Sequence, residues 1–433
     1  MWSSVRWFWI LVLAAVGLAA LPGRGVTANE DWPQWRGPRR DGVSREQGLL
    51  QEWPPGGPAL SWTVQGLGSG FSSIAVVGGR ILTLGDLQGT QYVIAMDTAD
   101  GSVLWKTRVG TAHTSDPGRD GSRSTPTVDG DRLYALGTEG DLVCLDAGTG
   151  AERWRRNLVT DFGGQMMSGW KYSESPLVDG ERLIVTPGAR EAMLVALDKR
   201  TGSEVWRSAV PELGPTGRDG AGYSSIVISE GGGVRQYVQL TGRGLVGVRA
   251  EDGRFLWGYN RVANRTANIS TPIVRGDLVF ASTGYQTGSV LLRLEPAGDG
   301  IAAREVYFLN SKLFQNHHGG LVLVEDHVYA GHGHRRGFPI CVELESGKVK
   351  WGGELRNAGS GTAAVVYADG RLYFRYENGR MLLIEATPEG YREKGSFEIP
   401  DVTKPSWSHP VVVDGRLYLR EQDRLYSYDL RRR

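Results

Sequence analysis

Cysteine is nearly absent from this sequence, and helical periodicity is absent altogether. Two cysteines occur among 433 residues, which leaves no adjacent pair and no Cys-x-x-Cys-His haem motif. Apolar residues do not recur at the 3.6-residue spacing of an amphipathic helix over any long stretch. Phosphate-binding loops, nucleophile motifs and metalloprotease helices are also missing. No sequence motif therefore assigns the chain to a common enzyme class.

A dominant charge is missing as well. The chain has 49 Lys and Arg against 48 Asp and Glu, for a formal net charge of +1. No extended basic run provides the field that nucleic acid or an anionic lipid surface would recognise. We therefore expect no nucleic-acid partner.

A long hydrophobic run occurs only at the N-terminus. Arg6 precedes an apolar run over residues 7–21, which is shorter than the roughly 20 residues that cross a bilayer. Val26-Thr27-Ala28 resembles a cleavage site. Residues 1–28 are therefore predicted to be a signal peptide, cleaved on export to the periplasm or the medium. An uncleaved anchor is the alternative, and no stable membrane insertion of the mature chain is expected.

Glycine is abundant, and much of it lies in a repeated block that ends in tryptophan. Gly accounts for 62 residues and there are ten Asp-Gly pairs, which is typical of β-structure with tight turns. The block is clearest before Trp105, Trp154 and Trp206, with weaker copies before Trp257 and Trp351. The spacing of clear neighbouring copies, 43 to 52 residues, is typical of one propeller blade.

Eight copies can be laid along the chain, and the last is incomplete. It has three strands after Trp407, while residues 59–64 resemble an unattached fourth strand that contains Trp62. We predict an all-β fold, an eight-bladed β-propeller of four-stranded antiparallel blades over residues 59–430. The N-terminal strand 59–64 would complete the last blade and close the ring.

Three further structural expectations follow from the repeat. Residues 31–38 contain two Trp residues, and the segment 29–58 that includes them is expected to be extended and packed on the ring. Phe308 and Phe397 are expected to replace the terminal Trp of blades five and seven. Cys144 and Cys341 lie on equivalent strands of opposite blades, well beyond the ~7 Å limit for a disulfide, and are expected to be free buried thiols.

The blocks ending at Trp105, Trp154 and Trp206, with Ser124-Thr125-Pro126 and Glu174-Ser175-Pro176 at the starts of blades, resemble pyrroloquinoline-quinone (PQQ)-like propeller repeats. Quinoprotein alcohol dehydrogenases and non-catalytic, BamB-like envelope propellers share that repeat. Asp31-Trp32-Pro33-Gln34-Trp35-Arg36-Gly37-Pro38 and Asn316-His317-His318-Gly319-Gly320 also resemble segments of exported bacterial PQQ-like propellers. The resemblance covers nearly the whole mature chain and implies fold and export more than chemistry.

The chain departs from both branches. The dehydrogenases of the first branch typically cover the quinone with a disulfide between adjacent cysteines, and no such pair exists here. The lipidation cysteine of BamB is also absent. The resemblance therefore assigns neither a quinone reaction nor a specific role in outer-membrane assembly to this chain.

Propeller geometry predicts one shared site. The connectors between blades, and the loops between second and third strands, meet near the axis on one face, while the Asp-Gly turns lie on the other. Polar connector residues predict an axial ligand-binding mouth. Its candidate residues are Arg123, Lys171, Glu174, Tyr223, Asn268, Asn316, His317 and His409. The alternative is that these side chains hydrogen-bond connectors to neighbouring blades.

Histidines give a second, metal-binding candidate. Five of seven His lie within residues 317–334, and the possible ligands are His317, His318, His332 and His334. Adjacent side chains of an extended chain point apart, so the rings of His317 and His318 are expected to diverge. No acidic ligand lies among the four, so hydrogen-bonded loop histidines are the preferred interpretation.

We interpret the chain as an exported, monomeric, non-catalytic binding or scaffold module of the bacterial envelope, without a cofactor. Its partner would be a protein, a peptide segment or a small polar ligand. The alternative is an alcohol or sugar dehydrogenase that depends on PQQ and calcium. In that case Glu174 and Asn268 would supply oxygen ligands, and Lys171 or Arg123 would supply cations.

Overall fold

The computed structural model describes residues 1–2, 31–114, 120–354 and 359–432. The predicted signal peptide lies outside the described residues except for its first two. Within the described part of the chain there are 32 β-strands, one five-residue helix, α1 (Leu158–Phe162), and one 3₁₀ turn (Gly231–Gly233). None of the helices described there is long and apolar enough to span a bilayer.

The strands form eight four-stranded antiparallel sheets in this described part, each one a blade. Strand β1 comes first in the chain and belongs to the last blade. The strands up to blade four are β1 (Ala59–Gln65), β2 (Ala75–Val77), β3 (Arg80–Leu87), β4 (Thr90–Asp97), β5 (Val103–Thr111), β6 (Thr127–Asp129), β7 (Arg132–Leu136), β8 (Asp141–Asp146), β9 (Glu152–Asn157), β10 (Leu177–Asp179), β11 (Arg182–Val185), β12 (Leu194–Asp198), β13 (Glu204–Ser208), β14 (Val227–Ser229), β15 (Gln236–Thr241), β16 (Gly244–Arg249) and β17 (Phe255–Tyr259).

Blade five is the longest, because its β20–β21 hairpin extends beyond those of its neighbours. The remaining strands are β18 (Ile273–Arg275), β19 (Leu278–Thr283), β20 (Gly288–Ala297), β21 (Gly300–Asn310), β22 (Leu321–Val324), β23 (His327–His332), β24 (Phe338–Glu343), β25 (Val349–Gly352), β26 (Ala363–Ala368), β27 (Arg371–Tyr376), β28 (Arg380–Glu385), β29 (Glu393–Glu398), β30 (Val411–Val413), β31 (Arg416–Glu421) and β32 (Arg424–Asp429). The predicted eight-bladed propeller is confirmed.

The ring closes as the sequence predicts. β1 pairs antiparallel with β32, from Ala59 opposite Asp429 to Gln65 opposite Arg424, so the N-terminal strand completes the last blade. The first strands of successive blades contact one another and surround the axis. Cys144 and Cys341 are buried free thiols, as predicted.

The Trp and Gly of the repeat meet across blades. The indole of Trp105 covers Gly150 in the turn of the next blade so closely that a Cβ there would lie 2.5 Å from the ring. Gly150 also has a left-handed φ of 74°, which favours glycine. Trp154 repeats the contact at Gly202, and its Nε1 donates to the Lys199 carbonyl oxygen at 3.2 Å. Each such pair seals the wedge between two blades.

Blade five corrects the prediction about its terminal aromatic. Tyr307, not Phe308, pairs with the third strand at the Trp position, opposite Leu291 and just before the bulge. Its ring covers Gly347, and its hydroxyl donates to the Leu344 carbonyl oxygen at 2.6 Å. The same bulge follows the Trp position in other blades, so the register assigns the position to Tyr307, whereas aromatic type alone does not distinguish Tyr307 from its neighbour Phe308.

Residues 32–46, which we call the plug, lie on the propeller axis. Backbone and side-chain hydrogen bonds join the plug to seven of the eight blades, which only an axial position permits. These bonds pair Trp32 with Val76, Pro33 with Val128, Trp35 with Thr271, Arg36 with Leu321, Arg40 with Ser175 and Pro176, Ser44 with Tyr367, and Glu46 with Asp414 and Gly415. The segment forms turns and isolated bridges and contains no β-strand.

Replacing Trp62 with alanine is expected to lower the free energy of unfolding by about 3 kcal/mol, because its half-buried indole covers Gly101 of blade one where the propeller closes. Thermal or denaturant unfolding would measure the change. Leu60→Ala is the matched control on the same strand, since Leu60 is 50% exposed; a change within about 0.5 kcal/mol is expected there. Equal effects of the two substitutions would contradict a closing role for Trp62.

Candidate functional site

A cavity of about 410 Å³ opens at the axis on the face where the connectors arrive. Four predicted site residues line it: Arg123, Tyr223, His317 and His409. The plug supplies Trp35 and Arg36 to the same wall. A second cavity, on the other side of the plug, is also lined by Arg36. The plug therefore separates the two spaces, and the connector-face cavity ends blindly at the plug.

An arc of rings surrounds much of this cavity, and we call it the collar: Tyr285, His317, His318, Trp407 and Phe71. Consecutive ring centroids are 4.9, 4.4, 4.8 and 4.7 Å apart, in that order. The Arg123 guanidinium lies over Phe71, 5.1 Å from its centroid. Aromatic rings at these separations attract one another and a stacked cation. The collar is thus a continuous wall built from non-adjacent segments of the chain.

The other four predicted residues do not line this cavity, and each bonds within the scaffold. Lys171 pairs with Glu139 on a neighbouring loop, with Nζ 3.0 Å from Oε2. Asn268 donates to the Thr241 carbonyl oxygen at 2.9 Å, and Asn316 donates to that of Gly331 at 2.9 Å. These three residues have the connector-bonding role that was the alternative interpretation.

Glu174 is buried beneath the connectors. One carboxylate oxygen accepts the Thr186 N–H at 3.0 Å, and the other has no protein partner. Burial raises the pKa of Glu174 to about 8, although the Thr186 hydrogen bond and the Arg40 cation of the plug oppose the rise. Glu174 is therefore largely protonated at neutral pH, which suits a scaffold carboxyl better than a cation ligand.

The histidines are closer together than predicted. His317 and His318 have ring centroids 4.4 Å apart, and His334 lies 4.4 Å from His317. The expected divergence is wrong because the connector bends at His318 and is not extended there. His332 lies apart, where its Nδ1 accepts the Gln315 N–H at 3.2 Å.

These rings are neutral over the physiological range. Burial, with smaller contributions from neighbouring cations, lowers the pKa of His318 and of His409 to about 3 and lowers that of His317 further. The charged residues lining the cavity are then Arg36, Arg123, Arg335 and Glu377. Three cations against one carboxylate leave the cavity electropositive.

The donor set fits a calcium–quinone centre poorly. Ca²⁺ takes 6–8 oxygen ligands, whereas Glu377 supplies the single carboxylate among the described lining residues. Glu174 and Asn268, the predicted oxygen ligands, are committed to the scaffold. In the described ranges no group of three or more His, Cys, Asp or Glu is arranged to hold a metal ion.

Sequence reasoning missed most of the cavity wall. It named polar connector residues, while Trp35, Phe71, Tyr285 and Trp407 supply most of the ring surface. Phe71 and Trp407 lie on connectors and occupy no blade-sealing position. Their aromatic type was therefore the available signal that they line the cavity. Nothing in the sequence placed Trp35 and Arg36 on the axis, because the path of the plug depends on contacts with seven blades.

Comparison with known proteins confirms the PQQ-like propeller resemblance. A family model described as outer membrane protein assembly factor BamB matches residues 89–353, more than half of the chain. A protein of Nitrosomonas eutropha named outer membrane protein assembly factor BamB is 23% identical over 313 residues, covering 69% of this chain and 67% of that protein.

Two solved structures extend the likeness to nearly the whole fold. BamB from Moraxella catarrhalis gives a TM-score of 0.60 at 16% identity, covering 87% of this chain and 98% of that chain. The quinohemoprotein alcohol dehydrogenase of Comamonas testosteroni gives a TM-score of 0.63 at 14% identity, covering 92% of this chain and 80% of that chain. At such identities the likeness shows the fold alone, and that fold is common to BamB and to an alcohol dehydrogenase.

Glu174→Gln is expected to flatten the pH dependence of stability between about pH 4.5 and 8. In that window the folded state holds the Glu174 proton and the unfolded state releases it. Stability of the parent protein therefore falls as pH rises, by up to about 1.4 kcal/mol per pH unit. Denaturant unfolding at several pH values measures the slope. Glu181→Gln, at an exposed carboxylate, is the control, and equal slopes for both variants would refute the assignment.

Proposed function

We propose that this chain, which belongs to the family of PQQ-like propellers whose model is described as outer membrane protein assembly factor BamB, is a non-catalytic binding module of the bacterial envelope. It acts as an exported monomer in the periplasm or outside the cell. Its recognition site is the connector-face cavity, and its partner is a protein, a peptide segment or a small polar ligand.

The blind, ring-walled cavity carries this proposal. Ligand sites are characteristically concave and largely apolar, with a few polar groups that set orientation. The collar supplies the apolar wall, while Arg123, Arg335 and Glu377 supply charge. The described lining contains one carboxylate, that of Glu377, and burial keeps the lining histidines neutral.

A protein partner has the most support among the three ligand classes. The matching family model and one relative are named for assembly of outer membrane proteins. Trp, Tyr and Arg side chains, which form much of the mouth of the cavity, are the types enriched at the energetic centres of protein interfaces. An assembly role of the same kind is thus a reasonable extension to this chain.

A quinone-dependent dehydrogenase is the competing function, favoured by the fold it shares with a quinohemoprotein alcohol dehydrogenase. Adding PQQ and Ca²⁺ to the purified protein is expected to give no dye-linked oxidation of alcohols or sugars. A saturable spectrum with turnover, lost in Glu377→Gln, would overturn the proposed function.

Site-specific photo-crosslinking tests binding directly. A photoreactive residue at Ser173, which lines the cavity, is expected to give discrete crosslinked species in cells that produce the protein. The same residue at Arg200, on an opposite-face turn, is the control and is expected to give none. Trp407→Ala should reduce the Ser173 products several-fold. Identical products at both positions, or none at Ser173, would contradict a recognition site on the connector face.

A further inference from the structure

We propose that the connector-face cavity takes its ligand end-on, by a carboxylate that is attached to an apolar or ring-bearing body. This inference rests on the proposed binding function and specifies the ligand chemistry of the same site. A peptide C-terminus and a small free acid share this chemistry. Four features of the cavity wall carry the inference: its blind end, its unpartnered donors, its charge and its rings.

The blind end determines how a ligand enters. The plug occupies the axis and is hydrogen-bonded to seven blades, so a chain cannot thread through the ring. A cavity of about 410 Å³ accepts one or a few side chains and no folded element. A partner segment must therefore insert an end or a single side chain, and the group that reaches the floor is the one recognised.

The unpartnered polar atoms of the wall are nitrogens. Among the described lining residues, the buried side-chain atoms without a protein partner are Nε and Nη1 of Arg36, Nε1 of Trp407 and Nδ1 of His317. Arg36 and His317 are 4% and 7% exposed. Guanidinium and indole N–H groups can only donate hydrogen bonds. Buried donors without acceptors are costly. Neighbouring atoms cover these nitrogens, so a ligand that brings oxygen acceptors would satisfy them after a small movement of the wall.

The charge of the wall selects an anion. Arg36, Arg123 and Arg335 line the cavity against Glu377, and the collar histidines are neutral. Arg36 and Arg335 approach from different elements, the plug and a blade-six loop. Charge-assisted bonds from such groups to a carboxylate are about twice as strong as neutral ones.

The rings select what the anion is attached to. The collar presents aromatic faces from Tyr285 to Phe71, and Trp170 and Tyr223 face the cavity from blades three and four. A free inorganic anion would leave these faces in contact with water, whereas a ring or apolar side chain would cover them. A carboxylate on an apolar body satisfies the donors and the rings together.

Direct titration tests the ligand class. Phenylacetate is compared with its neutral isostere phenylacetamide, and the peptide Ala-Ala-Phe with a free C-terminus is compared with its C-terminal amide. Calorimetry and quenching of tryptophan fluorescence measure binding to the purified full-length exported protein. We expect each acid to bind about tenfold or more tightly than its amide. Inorganic phosphate is expected to bind more weakly than either acid.

Three variants assign the effect to the wall. Trp407→Phe keeps a ring and removes one donor, and Arg335→Gln removes one cation. Each is expected to weaken binding of the acids several-fold while leaving the melting temperature and the amides almost unchanged. Arg200→Gln removes an equal charge from the opposite face and is expected to change neither the affinity for the acids nor the melting temperature. A peptide that binds far more tightly than phenylacetate would identify a chain end as the source, and comparable affinities would identify a small acid.

Two results would overturn the inference. One is equal binding of acids and amides, and the other is no binding of any of the four compounds. In either case the crosslinks from Ser173 report separately on the proposed function. Persistent Ser173 crosslinks would support a binding module with a different ligand chemistry. Their absence would contradict both the proposed function and this inference.

Discussion

The contact between an indole of one blade and a glycine of the next is the constraint on which this structure depends. Trp105 on Gly150, and Trp154 on Gly202, leave no room for a Cβ, so the two residue types must recur together at a fixed distance. The contact recurs where Trp206 covers Gly253 and where Trp62 covers Gly101, and at each of these junctions it holds one blade against the next. Tyr307 preserves the same geometry over Gly347, with its hydroxyl in place of the indole N–H.

That repeated contact also explains why the fold could be predicted from the sequence, whereas much of the candidate binding site could not. Spacing of Trp and Gly is a local signal, and it was sufficient to predict eight blades and closure by β1. Even there, β21 contains two adjacent aromatics, and Tyr307 occupies the Trp position in place of the predicted Phe308. The cavity is different, because its wall joins side chains from connectors that are far apart in the chain. Arg123 and Tyr223 were placed correctly near the axis, whereas Asn268 and Asn316 turn into the scaffold.

The plug makes the axial space a blind cavity and not a channel. In an open ring the connector face would be the entrance of a channel, but here Trp35 and Arg36 form part of a floor. The recognition surface is consequently shared between the propeller repeats and a segment that is not part of any repeat. Relatives with the same blades and a different N-terminal segment would present a different floor, which separates ligand choice from the fold.

Strand β1 and the plug both precede the blades in the chain, yet both rest on elements made later. β1 pairs with β32 across more than 350 residues, and the plug bonds to seven blades that include the last one. Neither can reach its final position until the last hairpin has been synthesised, so these N-terminal elements are among the last to become ordered. The chain must therefore remain incompletely folded, and accessible to chaperones, until its C-terminal strands are available.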